Sequence, residues 1–374
     1  MTYNTIDQQK INRESFLDGL RIAATCAVVF LHTVTGVRDI TDMSFYPLED
    51  KVFLVARDLV TWCVPMFLII SGYLFLRSDR KIGFWTMLWK YCRRILFALF
   101  LFGVPFACLE QIATERTFRF GMIGESVLMI CMGESWSHMW YLYLILALYL
   151  VTPALKYLLE RCPRWLLYLV LAVLVIWGSI IPFMEKLENT YYPLVLPDSS
   201  IYLFYYLCGY LFAEKSIERN VSVDLDKGSK VPAMRSGITL TVLAATVLIL
   251  VGMVVSRLVG NYSVQMAYNY PFTVLLSLSL FYLTREAAAW RSTKKAGSGQ
   301  KAPTGIMTGI SSLCFAVYLI HPLFVNIAYK LLHVTPLDFP IGVSLPLFFA
   351  VILGLSLSLA WGLRRIPGMA KYVL

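Results

Sequence analysis

Apolar residues gather in ten long blocks separated by short polar stretches. Their approximate bounds are 16–37, 53–76, 91–110, 137–159, 165–184, 199–213, 236–257, 270–285, 307–331 and 342–363. A helix needs about 20 mostly apolar residues to cross roughly 30 Å of hydrocarbon. All ten blocks come near that length, the sixth being the shortest. The pattern predicts an all-α polytopic membrane protein with about ten transmembrane helices. Cys63-Val64-Pro65 in the second block and Thr152-Pro153 in the fourth predict kinks. The first block does not read as a cleaved signal peptide, because Arg21 and His32 interrupt it and no small-x-small site follows.

Composition agrees with this class. The chain has 374 residues, of which 58% are hydrophobic and only 15% charged, with a mean hydropathy of +0.67. Soluble domains carry about 25% charged residues, so a soluble globule, a disordered chain and a coiled coil are all excluded. The net charge of +10 raises the question of a nucleic-acid partner, but in a membrane protein the position of charge matters more than its sum. With ten crossings and both termini cytoplasmic, the internal segments hold 25 of the 33 basic residues and the external ones 8. Acidic residues divide 10 inside and 13 outside. That bias is the expected one, and no nucleic-acid partner is needed to explain the charge.

Residues 1–374 read as a single membrane-embedded domain, with 1–15 as a cytoplasmic N-terminal segment and 214–235 and 286–305 as cytoplasmic loops. The stretch from Lys294 to Lys301 has the composition of a solvated linker. The eight cysteines are scattered singly without a C-x-x-C pair. They read as small packing groups, and no metal site is expected.

Ionisable residues inside apolar blocks carry the functional signal. Arg21 and His32 are eleven residues apart, almost three helical turns, so they share a face about 16 Å apart along the axis. Asp18 lies one turn below Arg21. Such a stripe is costly against lipid and predicts an internal cavity. Arg21 has a second reading, as a side chain reaching back to the inner headgroups with Asp18 as partner. His32, about 24 Å from the inner boundary, cannot reach back; its alternative is a satisfied interhelical histidine. His321 falls about 21 Å deep, close to the level of His32, where it either borders the same cavity or caps backbone groups ahead of Pro322. His138 and Trp140 open the fourth block; Trp140 and Tyr141 fit an interfacial aromatic belt as well as a sugar-stacking surface. Ser71 and Tyr73 have a plain reading as helix-packing residues, and Arg57-Asp58 as an ion pair.

Four segments in order resemble the acyltransferase-3 family of integral membrane acyltransferases. Asp18-Gly19-Leu20-Arg21 with His32 resembles its R-x10-H signature, and Val64-Pro65-Met66-Phe67 through Ser71-Gly72-Tyr73 its second-helix motif. His138-Met139-Trp140-Tyr141-Leu142 resembles its H-x-W-Y-L segment, and Tyr318-Leu319-Ile320-His321-Pro322-Leu323 its Y-x-x-H-P-L segment. One departure concerns the third helix, where the family often places two arginines three apart. Here Lys90 and Arg94 stand four apart, with Arg93 beside them, and ordinary positive-inside anchoring explains them equally well.

The resemblance implies a stand-alone enzyme of the bacterial cytoplasmic membrane that takes an acyl group, most simply acetyl, from cytoplasmic acyl-CoA. Its acceptor would be a hydroxyl of a cell-surface or lipid-linked glycan. On this reading Arg21, Lys90, Arg93, Arg94 and Ser71 hold the acetyl-CoA donor, since arginine forks suit phosphate. His32 is the catalytic base, supported by Arg21 and Asp18. His321, Tyr318, His138, Trp140 and Tyr141 meet the acceptor, His321 by positioning it or polarising the carbonyl. Direct transfer and a covalent acyl-enzyme both remain open. Two rival functions stand beside this one: an exporter of a glycan or small molecule, although no similar halves are visible, and an acyl-relay subunit serving a partner enzyme.

Overall fold

The computed structural model describes residues 3–79, 82–134, 136–190, 197, 199–225, 234–259, 266–296 and 304–373. The described residues are 85% helical, and no strand occurs among them.

Helix α1 (Tyr3–Ile40) runs for 38 residues without a break. Thr25, Thr33 and Thr35 each return their hydroxyl to the carbonyl four residues earlier, at 2.8, 2.8 and 3.0 Å, so these polar groups are satisfied within the helix. The second crossing consists of α2 (Pro47–Val60) and α3 (Cys63–Phe75). The predicted kink appears as a break at Thr61 and Trp62. Pro65 sits in the first turn of α3, where its missing N–H has no intrahelical carbonyl to serve. A short α4 (Phe84–Thr86) passes through a π-helical stretch, Met87–Cys92, into α5 (Arg93–Glu115).

Helix α6 (Gly121–Met132) was not foreseen. It folds back on α5, clamped by the Ser126 hydroxyl, which meets Gln111 Nε2 at 2.9 Å and Cys108 Sγ at 3.1 Å. Gly133 ends it with a φ of 83°, a left-handed conformation natural to glycine at this position. The chain then turns through a 3-10 segment, Ser137–Met139, and restarts as α7 (Trp140–Leu159). The apolar block at 137–159 is therefore the second part of a longer, broken run, Gly121–Leu159.

Helix α8 (Arg164–Val175), a π-helical stretch and α9 (Ile181–Glu188) form the next run; α10 (Ser200–Leu225), α11 (Met234–Val259) and α12 (Pro271–Ala296) follow. Helices α13 (Thr304–Ser311) and α14 (Cys314–Asn326) precede α15 (Ile341–Arg364) and the short α16 (Met369–Tyr372). Among the described residues, nine helical runs are long and apolar enough to cross a membrane. The tenth expected crossing, 199–213, falls within α10, where Ile201, Tyr205, Tyr206 and Leu207 are buried. There α10 packs on α3 backbone to backbone. A side chain added at Gly72 would strike the Tyr206 carbonyl, and one added at Gly209 would strike that of Ile69. Small residues permit such crossings.

The expected cytoplasmic connections are partly helical. Within 214–235, α10 continues to Leu225 and α11 begins at Met234; within 286–305, α12 continues to Ala296 and α13 begins at Thr304. The remainder, 226–233 and 297–303, lies outside the described residues. The 1–15 segment is likewise helical from Tyr3. Charged residues after an apolar stretch end its hydrophobic signal without ending the helix. Arg57-Asp58 is more than a local pair. Asp58 is 1% exposed and bonded to Arg57 at 3.1 Å and to Arg257 of α11 at 2.7 Å. This ion cluster ties α2 to α11, a helix whose apolar window is only 11% buried.

Candidate functional site

The α1 stripe lies between neighbouring helices. Arg21 Nη1 is 2.9 Å from Asp18 Oδ1, and the Ser311 hydroxyl donates to the same oxygen at 2.7 Å. Asp18 therefore holds Arg21 in place and joins α1 to α13. Both residues line a cavity of about 600 Å³. Ser71 lines it too, together with Tyr141 and Tyr149 of α7. Of the three basic candidates on the third crossing, only Arg94 reaches this cavity. Its Nε donates to the Val373 carbonyl at 3.1 Å and its guanidinium lies 5.7 Å from the Phe315 ring centre. Lys90 and Arg93 are exposed and line no described cavity. A third guanidinium, Arg364, completes the set from the end of α15, bonded to the Ser312 hydroxyl. The cavity thus presents three arginines and one carboxylate at one end, and mainly aromatic and aliphatic groups elsewhere.

Three turns along α1, His32 lines a different cavity of about 230 Å³. The helix break after Gly133 brings His138 to the same wall, supported by Trp136, which stacks on Phe106 at 4.3 Å and 8°. His32, His138 and His321 form a triangle of imidazoles. Their ring centroids are 5.0 Å apart for His32–His321, 5.8 Å for His138–His321 and 6.3 Å for His32–His138. His321 is fully buried behind the wall, its Nδ1 3.0 Å from the Val317 carbonyl oxygen. Neither His138 Nε2 nor His321 Nε2 has a hydrogen-bond partner. Asp39, Glu110, Asn326 and Lys330 supply the polar groups of this cavity. Among the described residues, no three His, Cys, Asp or Glu side chains are placed to hold a metal ion.

The two cavities are not one tunnel. Tyr318 lines the arginine cavity while its hydroxyl donates to the His138 backbone carbonyl in the histidine cavity. Tyr141 lies beside it, 5.9 Å between ring centres, with Phe67 at 6.2 Å from Tyr141. These rings form a wall across the seam expected to join Arg21 to His32. Of the residues considered for the acceptor, Tyr318 and Tyr141 line the arginine cavity, whereas His138 lines the histidine cavity. Trp140 lines neither and packs on Tyr202 and Tyr268 at 5.3 and 5.9 Å.

Sequence reasoning missed Arg364, Tyr149, Trp136 and Glu110. Arg364 carried a usable signal, as a cation ending the last apolar block. The others carried none, because only packing brings them to a cavity.

A family model described as an acyltransferase domain matches residues 14–365. No curated protein and no solved structure matches the chain.

Proposed function

The chain belongs to the acyltransferase-3 family of integral membrane acyltransferases, and on that premise we propose that it moves acetyl from acyl-CoA to a hydroxyl of a cell-surface or lipid-linked glycan. The donor occupies the cavity of about 600 Å³. Arg21, Arg94 and Arg364 meet its phosphate groups, for which planar guanidinium forks are well matched. The apolar remainder suits the thin arm that ends in the thioester. The positive-inside distribution supports a cytoplasmic position for the arginine end, the side on which acyl-CoA is made.

The acceptor hydroxyl enters the cavity of about 230 Å³, where a sugar meets Trp136 together with the polar groups of Asp39, Glu110, Asn326 and Lys330. Transfer requires the Tyr318 ring to give way, so that the thioester passes to the His32 side. His32 then takes the hydroxyl proton as the oxygen bonds to the acyl carbon. The carbon–sulfur bond breaks, and the sulfur leaves with the electron pair and recovers a proton. Direct transfer is favoured over a covalent intermediate, because Ser137 is the one Ser or Cys among the described residues lining the histidine cavity and no hydrogen bond pairs it with His32.

One observation carries the reading: an arginine-lined cavity and a histidine-lined cavity follow one another along α1, separated by the ring wall that Tyr318 of α14 closes. The test incubates purified protein with radiolabelled acetyl-CoA and candidate glycans, comparing the parent with His32→Ala. Labelled product from the parent and none from the variant is the expected result. Equal transfer by both would remove His32 from the chemistry, and a parent that neither binds acetyl-CoA nor transfers its acetyl group would refute the function.

A further inference from the structure

His321 is the most enclosed imidazole of the triangle, and the transfer chemistry described above leaves it without a task. Its Nδ1 faces the Val317 carbonyl oxygen at 3.0 Å. A carbonyl only accepts, so Nδ1 carries the hydrogen, and a neutral imidazole has only one to place. Nε2 is therefore a bare lone pair, buried and without a partner. A side chain locked in this form cannot donate to a thioester carbonyl, which removes the polarising role considered from the sequence. What it can do is accept.

The ring facing it most closely is His32, with centroids 5.0 Å apart. At that separation a modest turn of either ring brings edge nitrogens to about 3 Å, the length of a hydrogen bond. His138, at 6.3 Å from His32, is too far for the same contact. We infer that His321 is a positioning residue whose Nε2 accepts the N–H of His32, leaving the opposite nitrogen of His32 as the lone pair that faces the acceptor hydroxyl. This inference rests on the acyl-transfer reading and deepens it.

During transfer the acceptor O–H bond breaks and its proton goes to His32, while the oxygen bonds to the acyl carbon. The thioester carbon–sulfur bond breaks, sulfur takes the electron pair, and the His32 imidazolium returns the proton to it. His321 gains and loses no atom. It holds the imidazolium through one N–H···N bond and keeps His32 in the form able to act as a base, the service that a buried hydrogen-bond acceptor gives to a catalytic imidazole.

The chain contains only four histidines, so 15N-histidine labelling of the intact protein in lipid nanodiscs gives signals that single substitutions can assign. The expected spectrum shows His321 with hydrogen on Nδ1 and a bare Nε2, and His32 held in one tautomer. In His321→Phe, His32 should exchange between both tautomers. Hydrogen on Nε2 of His321, or a His32 signal unchanged by that substitution, overturns the inference. Kinetics with acetyl-CoA and a soluble glycoside give an independent reading. His321→Phe should lower kcat roughly 10- to 100-fold, the worth of one hydrogen bond to a charged group, with the KM for acetyl-CoA unchanged. His321→Gln, whose amide oxygen can accept the same N–H, should recover part of the rate and serves if the phenylalanine variant misfolds. A matching loss of acetyl-CoA affinity in both variants would mark a merely structural role and overturn the inference. If the parent transfers no acetyl group, the functional reading falls while the nitrogen assignment still decides the geometry.

Discussion

The wall at Tyr318 makes a quantitative prediction about leakage. Its hydroxyl bonds the His138 carbonyl, and a buried hydrogen bond of this kind contributes about 0.5–1.5 kcal/mol. Tyr318→Phe keeps the ring and removes that bond. At about 1.4 kcal/mol per factor of ten, the open wall should become roughly 2- to 12-fold more populated. Tyr318→Ala removes the ring as well and joins cavities of about 600 and 230 Å³. Water can then reach the thioester from the His32 side without any acceptor present. The assay is chromatographic measurement of free CoA released from acetyl-CoA in the absence of glycan, on protein shown to bind acetyl-CoA normally. Hydrolysis should rise from parent to Phe by the factor above and rise further in Ala. A flat series, with donor binding intact, would refute the idea that this side chain separates donor from acceptor.

Other substitutions test separate parts of the argument. Arg94→Ala and Arg364→Ala should each weaken acetyl-CoA binding in calorimetry by roughly tenfold or more, in keeping with a lost charge-assisted bond, while Lys90→Ala and Arg93→Ala change it much less; equal effects across all four would remove the distinction drawn from the cavity wall. Gly72→Ala drives a methyl group into the Tyr206 carbonyl and should cost at least about 1–3 kcal/mol, seen as a lower Tm in detergent, whereas Gly237→Ala, with nothing within 4 Å, should leave Tm unchanged or raise it slightly. Asp58→Ala strips the shared carboxylate from Arg57 and Arg257 and should destabilise by about 3–5 kcal/mol; a Tm within a degree of the parent would show that this cluster does not hold α11.

Much of the architecture was legible because hydrocarbon imposes a length on each helix, and that length survives in the sequence as an apolar block. The shared helix of Arg21 and His32 was legible for a related reason, because spacing along one uninterrupted helix converts directly into distance, but the ring wall between their cavities was not. Relations between helices were not legible in this way. Nothing in the numbers 32, 138 and 321 states that three rings meet within 6.3 Å; that depends on the turn after Gly133 and on how α14 packs against α1. The same limit hid Arg364, which reaches the arginine cavity from the far end of the chain, and misplaced Trp140, whose neighbours are the tyrosines at 202 and 268. Hydropathy picks out a block only at 137–159, because the polar stretch 133–138 leaves Gly121–Met132 too short to cross a membrane by itself.

The glycine crossing of α3 and α10 has a mechanical consequence. With main chain pressed on main chain at Gly72 and Gly209, neither rod can slide or ratchet along the other without a collision, so this side of the molecule acts as a stator. Rearrangement on substrate entry must come instead from the segments bearing His138 and Tyr318, which are interrupted by a turn and by Pro322. If a thioester donor binds as proposed, the locked pair of helices would keep it in register while the jointed segments yield to let it through.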